Sequence, residues 1–165
     1  MRKFILALVL LVSCVAGNCN GPALICANPL NGSAFGFTLS VPAGFECSAV
    51  STIQALLVLS RVNYVQSSTQ TSISVVVSQP TNDNNQTLDG VTVTELPDRT
   101  NPNGITFEVR KLALDLGDSG TSTSYSGGTT LPGGNNLIIS VLDETDSQTL
   151  LDILNQVLDS VQFTQ

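Results

Sequence analysis

The clearest pattern of apolar and polar positions lies near the C-terminus, in residues 136–163. Alternating residues up to Leu142 predict a strand, which the acidic residues 143–146 interrupt. Thr145 with Gln148 three residues later is typical of a capping box, so we expect a helix to begin here. Its apolar positions fall within one arc of roughly 160°, and they are Leu150, Leu151, Ile153, Leu154, Val157, Leu158 and Val161. This stripe predicts a helix that covers one face of a sheet.

Shorter alternating runs predict the strands of that sheet. They occur at residues 35–41, 72–79, 91–93 and 105–109. Residues 50–64 fit a buried strand or a short helix, and we favour a strand over their later half.

The connections are predicted from turn-forming residues. We expect residues 97–104 to form the long loop of a hairpin. The Gly- and Ser-rich residues 117–128 predict a loop with a weak edge strand around Tyr125. The expected fold class is therefore α+β: an antiparallel sheet of five to seven strands with a C-terminal amphipathic helix packed on one face.

The start of the chain has the pattern of an export signal. Two cations and a nine-residue apolar run precede small residues, which predicts a signal peptide over residues 1–17. The run is too short to span a bilayer, which needs ~20 apolar residues. Residues around Cys14 also resemble the lipobox of bacterial lipoproteins, so cleavage before Cys14 with lipidation is the alternative to free secretion. We expect a flexible lead-in over residues 18–33 and a single α+β domain over 34–165.

The net charge of the chain limits the kinds of molecule that we expect it to bind. The 165-residue chain has a formal net charge of −7 and no histidine. Clustered Lys and Arg are needed to bind a phosphate backbone, so we expect no nucleic-acid partner, and contact with a membrane only through a lipid anchor. No motif for a cofactor is present, and none is expected.

Three cysteines remain after the predicted leader, at Cys19, Cys26 and Cys47. In an oxidising compartment one pair should close. We favour Cys26 with Cys47, which would clip the first predicted strand at both ends, and Cys19 with Cys26 is the alternative. Three cysteines without histidine make a zinc site unexpected.

Two segments resemble a known family. The sequence "FGFTLSVPAGF" at residues 35–45 and the closing "LLDILNQVLDSVQF" at 150–163 look like the PsbP-like fold. Where that family often has Trp after its Pro-containing turn, this chain has Phe45. The resemblance implies the α+β fold and a binding or assembly role in an exported protein.

Catalytic signatures are incomplete. Residues Gly117 to Gly120 have the sequence found around a serine-protease nucleophile. That mechanism needs a histidine base, and the chain has no histidine. Asp118 also lies in a DSG loop resembling half of an aspartic-protease site, which would require a homodimer to supply the second carboxylate. The acidic groups near Asp83, Asp115 and Asp143 do not match an EF-hand, so we expect no metal site.

Sequons at Asn31 and Asn85 mark N-glycosylation sites if the host glycosylates. The function we predict is an exported, non-enzymatic binding or scaffolding domain of the cell envelope or extracellular space, with an unknown protein or small molecule as partner. The alternatives are the homodimeric aspartic hydrolase and a carrier of a small apolar ligand.

Overall fold

The computed structural model describes residues 23–51, 58–80, 91–115, 117, 120–143 and 148–164. The strands are β1 (Leu30–Gly32), β2 (Phe37–Leu39), β3 (Glu46–Ser51), β4 (Val58–Gln66), β5 (Thr71–Ser78), β6 (Val91–Thr100), β7 (Thr106–Asp115), β8 (Thr121–Thr130), β9 (Asn136–Asp143) and β10 (Gln162–Phe163). A 3₁₀ turn, Ser33–Phe35, precedes β2, and the α-helix α1 spans Gln148–Ser160.

The strands form two antiparallel sheets. The large sheet has seven strands in the order β3-β4-β5-β9-β8-β7-β6, and the small sheet has three in the order β1-β2-β10. The predictions of an α+β fold, of antiparallel pairing and of a C-terminal helix are confirmed, whereas the strand number exceeds the predicted five to seven. A single cluster of buried apolar residues joins both sheets and the helix.

The helix packs through the predicted stripe. Leu150, Leu154, Val157 and Leu158 are buried within α1, and Val161 is buried just after it. The helix contacts β8 and β9 of the large sheet and β2 of the small one. Burial of each such side chain stabilises the fold by about 1.5–3 kcal/mol, so the stripe is enough to fix the helix on the sheet. The predicted cap at Thr145 lies outside the described residues.

The structure corrects the secondary structure predicted for the Gly- and Ser-rich stretch. It was predicted to be a loop with a weak edge strand, but β8 is a ten-residue strand between β7 and β9. A Cβ on Gly127 would lie 2.8 Å from a methyl carbon of Leu158. The missing side chain therefore lets the helix approach the sheet closely, a reason for glycine that concerns packing rather than a turn.

The hairpin of β6 and β7 has a shorter turn than predicted. Pro97 lies within β6, at a bulge between Leu96 and Arg99, so residues 97–100 are strand instead of loop. Because β6 is the edge of the sheet, its outer N–H groups need no partner and a proline is tolerated.

The predicted lead-in contributes to the fold in its described part. Leu24 and Leu30 are buried, and the Leu24 N–H donates to Ser60 Oγ at 2.9 Å. The Asn28 amide pairs with both polar backbone groups of Val41, at 2.9 and 3.1 Å. Residues 24–32 therefore pack over the large sheet, which corrects the expectation of a flexible lead-in over this part; buried leucines among Pro, Gly and Asn gave no periodic signal.

The C-terminal end of α1 is held by the β6–β7 hairpin. Arg99 pairs with both carboxylate oxygens of Asp159, with N···O distances of 3.1 and 2.6 Å. The Asn101 amide nitrogen donates to the carbonyls of Leu158 and Val161, both at 2.9 Å. The Asn101 bonds give a side-chain partner to the Leu158 carbonyl in the last turn of α1 and to the Val161 carbonyl just after it. A helix end leaves carbonyl groups without intrahelical partners, so such bonds stabilise it.

Candidate interaction surface

The large sheet presents two chemically different faces. Successive side chains of a strand point to opposite faces, and directly paired residues lie on the same face. Toward the helix, alternate positions such as Val75, Ile139 and Val141 are fully buried. The residues between them on the seven strands β3 to β9 form what we call the open face, which is the side turned away from the helix.

Large apolar side chains remain accessible on the open face. Of the six exposed large apolar residues in the described chain, four lie here: Val93, Leu114, Ile138 and Leu142, with exposures of 50%, 40%, 36% and 45%. Scattered exposed apolar residues are ordinary on a protein surface, but four of the six share one sheet face, which makes this face the candidate contact surface.

Small hydroxyl side chains fill the middle of the open face. Ser72 and Ser74 of β5, Ser140 of β9, and Ser124 and Ser126 of β8 occupy neighbouring positions across three adjacent strands. All are partly exposed. Leu142 lies between Ser72 and Ser124, and the Arg61 side chain reaches Ser74, so the centre of the face combines small hydroxyl groups with one exposed leucine.

Two arginines lie on either side of this serine region. On β7, Arg110 pairs with Glu95 at 3.1 Å and with Glu108 at 3.3 Å. On β4, the Arg61 Nε group donates to Asn63 Oδ1 at 2.9 Å and to Ser74 Oγ at 3.0 Å. Arg110 thus has carboxylate partners, whereas the bonds of Arg61 in the described chain are to neutral groups.

The favoured disulfide is formed. Cys26 and Cys47 are bonded, with Cα atoms 6.0 Å apart, a separation typical of disulfides. The bridge ties the residues before β1 to β3, at the edge of the large sheet. Next to it, the Tyr64 hydroxyl donates to Ala27 O at 2.6 Å, and burial raises the pKa of Tyr64. Cys14 and Cys19 lie outside the described residues.

The sequons and candidate acids are not brought together in one place. Asn31 is exposed on β1, and its side-chain oxygen accepts the Ser33 N–H at 2.9 Å. Asn85 and the DSG loop residue Asp118 lie outside the described residues, as does Asp83.

Two of the other acids have structural partners. Asp115 accepts the Gly117 N–H at 2.9 Å, and Asp143 accepts the Thr71 hydroxyl at 3.0 Å. Among the described residues, no group of three or more Cys, Asp or Glu could hold a metal ion. Within the same residues, every buried side-chain polar atom has a hydrogen-bond partner.

The sequence alone does not identify the open face as a site. A signal is present in the alternation of serine with apolar residues at 72–75 and 124–126. Such alternation predicts one apolar and one hydroxyl-bearing face, but only the strand order shows that these serines are neighbours.

No protein-family model matches this chain, and no curated protein matches it, so the resemblance to the PsbP-like family stays a prediction. Within the described ranges, no helix is long and apolar enough to cross a membrane.

Proposed function

We propose that this protein is an exported, non-enzymatic binding or scaffolding domain, and that the open face of its large sheet is the contact surface. The observation that carries the proposal is the concentration of exposed apolar side chains on that face. Exposed apolar patches rimmed by polar groups are characteristic of surfaces that bind another molecule.

The chemistry of the chain supports binding over catalysis. It has no histidine, which is the commonest general base, and only six Lys and Arg residues. Of the polar groups on the open face, the arginines have hydrogen-bond partners within the sheet, an arrangement that suits recognition rather than turnover. Export is supported by the leader and by a disulfide, which persists in oxidising compartments.

The contact surface can be tested by site-specific photo-crosslinking in the native host. A diazirine analogue of leucine replaces Leu142 at the centre of the open face, where it keeps the size of the native side chain, or Asp152 on the exposed side of α1 as the matched control. We expect a covalent adduct from position 142 and none from position 152. Equal labelling at the two positions, or no adduct at 142, would refute the open face as the contact surface.

The non-enzymatic part of the proposal has a separate test. The purified protein is incubated with a mixed peptide substrate at acidic pH, alongside the variant Asp118→Asn. We expect no cleavage by either protein. Cleavage by the parent that disappears in Asp118→Asn would refute the proposal in favour of the dimeric aspartic hydrolase.

A further inference from the structure

We propose that the open face binds a second copy of this chain, face to face, about a two-fold axis that runs along β9. This inference rests on the proposed function, because it names the partner of the same surface. It begins from the strand order, in which β9 is the middle strand with three strands on each side. A two-fold axis along β9 therefore places the whole face against itself, as a symmetric dimer requires.

One row of residues across the sheet shows that the two copies present opposite charges to each other. The pairing register aligns Arg61, Val76, Ile138, Gly128 and Glu108 on β4, β5, β9, β8 and β7. Rotation about β9 brings a residue two strands to one side against the residue two strands to the other side. Arg61 of one copy then faces Glu108 of the other, and this pair of opposite charges occurs twice.

The geometry of stacked sheets allows this charge pair. Both residues lie about 10 Å from β9, since neighbouring strands are ~4.8 Å apart. Stacked sheets cross at about 30°, for which the axis is inclined by about 15° to β9, and this displaces facing positions at this distance by roughly 5 Å. An arginine side chain is long enough to cover that displacement. Arg61 is exposed and has neutral partners within its own chain, so it can reach a carboxylate across the interface.

Gly128 provides an independent observation. A Cβ on Gly128 would meet nothing closer than 4.0 Å, in contrast to Gly127, whose Cβ would collide with the helix. Packing within the chain therefore gives no reason for a glycine, a residue that weakens a strand. In the two-fold arrangement Gly128 faces Val76 of the second copy, so the absence of a side chain makes room for the valine. A glycine in a strand often marks such a close approach.

The next rows agree with the same axis. Ser140 lies on the axis, flanked by Ser74 and Ser126, and small residues there let the two sheets approach. In the row beyond it, Leu142 meets its own copy. Val65 and Leu112, each two strands from β9 in that row, face each other. In the Ser140 row, Asn63 faces Arg110 of the second copy, so Glu108 lies between Arg61 of the other copy and Arg110 of its own chain.

The size of the face suits a dimer of modest affinity. Seven strands at ~4.8 Å give a width of about 29 Å, and five to six residues of each strand give a height of about 18 Å. The face therefore contributes roughly 500 Å² per copy, or about 1,000 Å² in total, the lower limit for a specific interface. We expect dimerisation at micromolar rather than nanomolar concentrations.

The first test uses the mass of the adduct from the Leu142 photo-crosslinking experiment. If the partner is a second copy, the adduct has twice the mass of the chain. An adduct of another mass would overturn the second copy and leave the proposed function standing. No adduct at position 142 would overturn both.

The second test measures self-association of the purified chain by sedimentation. We expect a monomer–dimer equilibrium below roughly 100 µM, and a dissociation constant raised at least tenfold by Gly128→Val, which clashes with Val76 of the second copy. A Cβ at this position meets nothing closer than 4.0 Å and valine favours strands, so the melting temperature of the Gly128→Val monomer should not fall. Asp152→Lys, on the far side of the molecule, should leave the dissociation constant unchanged.

Exchanging the charges of Arg61 and Glu108 tests the position of the two-fold axis. Arg61→Glu and Glu108→Arg should each weaken the dimer, and the double variant should recover part of the affinity, because the pair is restored in reverse while Arg110 loses its Glu108 partner. Circular dichroism confirms that each variant is folded. A parent chain that stays monomeric, or a dimer that Gly128→Val and both charge variants leave intact, would overturn the face-to-face arrangement.

Discussion

The amide of Asn101 is the polar contact on which the helix–hairpin junction most depends. Asn101 is 4% exposed, and its side chain makes four hydrogen bonds. Its nitrogen donates to the carbonyls of Leu158 and Val161, and its oxygen accepts the N–H groups of Asn103 and Ile105 at 2.9 and 3.0 Å. One side chain thus closes the hairpin turn and the end of α1 together.

The loss in free energy of unfolding that we expect for Asn101→Ala depends on which hydrogen bonds its partner groups keep. The Leu158 carbonyl still accepts the Val161 N–H, and the Val161 carbonyl still accepts the Asn103 amide. The N–H of Ile105 becomes an unpaired buried donor, which costs about 1–3 kcal/mol, while the other lost bonds cost about 0.5–1 kcal/mol each. We expect a loss of about 3 kcal/mol, which lowers the melting temperature of a domain of this size by about 6–12 °C.

Chemical denaturation followed by far-ultraviolet circular dichroism measures this loss. Asn103→Ala is the matched control, because that side chain donates one hydrogen bond to Val161 O at 2.8 Å and the residue is exposed. We expect the control to cost less than about 1 kcal/mol. If Asn101→Ala were within about 1 kcal/mol of the parent, the junction would not depend on this amide and the reasoning would be wrong.

The remaining predictions concern packing, titration and the disulfide. Gly127→Ala should cost about 1–3 kcal/mol, because its methyl collides with Leu158, and calorimetry should show that Gly127→Ala loses less when Leu158→Ala is already present. Tyr64 has a pKa above its ordinary value of 10.0, so the folded state holds its proton more tightly than the unfolded state. The free energy of unfolding should therefore fall as pH rises above about 10, a decrease that denaturation of Tyr64→Phe should lack. Reduction of the Cys26–Cys47 bridge, which closes a 21-residue separation, should cost about 3 kcal/mol in denaturant titrations; an unchanged midpoint would contradict that estimate.

Elements with a complete local pattern could be predicted from the sequence. The strand ending at Asp143 and the helix from Gln148 were expected because apolar period and polar breaks agree there. The strand over the later half of 50–64 is confirmed as β4, and the run at 72–79 is confirmed as β5. In each case, the residues that decide the structure are neighbours along the chain.

Elements that depend on distant contacts could not be predicted. The residues 121–130 are poor in apolar side chains, and they form a central strand because Gly127 admits the helix and Tyr125 is buried against the core. Strand preference depends on such context more than helix preference does. The open face is also a product of strand order, since Arg61 and Glu108 share a row only through pairings between segments far apart in sequence.

The packing of residues 24–32 over the sheet has a consequence for how far the domain can stand from a membrane. Leu24 is already fixed to Ser60, so only ten residue steps separate it from Cys14. A fully extended chain advances at most ~3.6 Å per residue, which limits this distance to about 36 Å. If Cys14 carries a lipid, Leu24 therefore stays within about 36 Å of the bilayer surface. Two copies anchored in that way would meet in two dimensions, where even a small interface is occupied at low protein abundance.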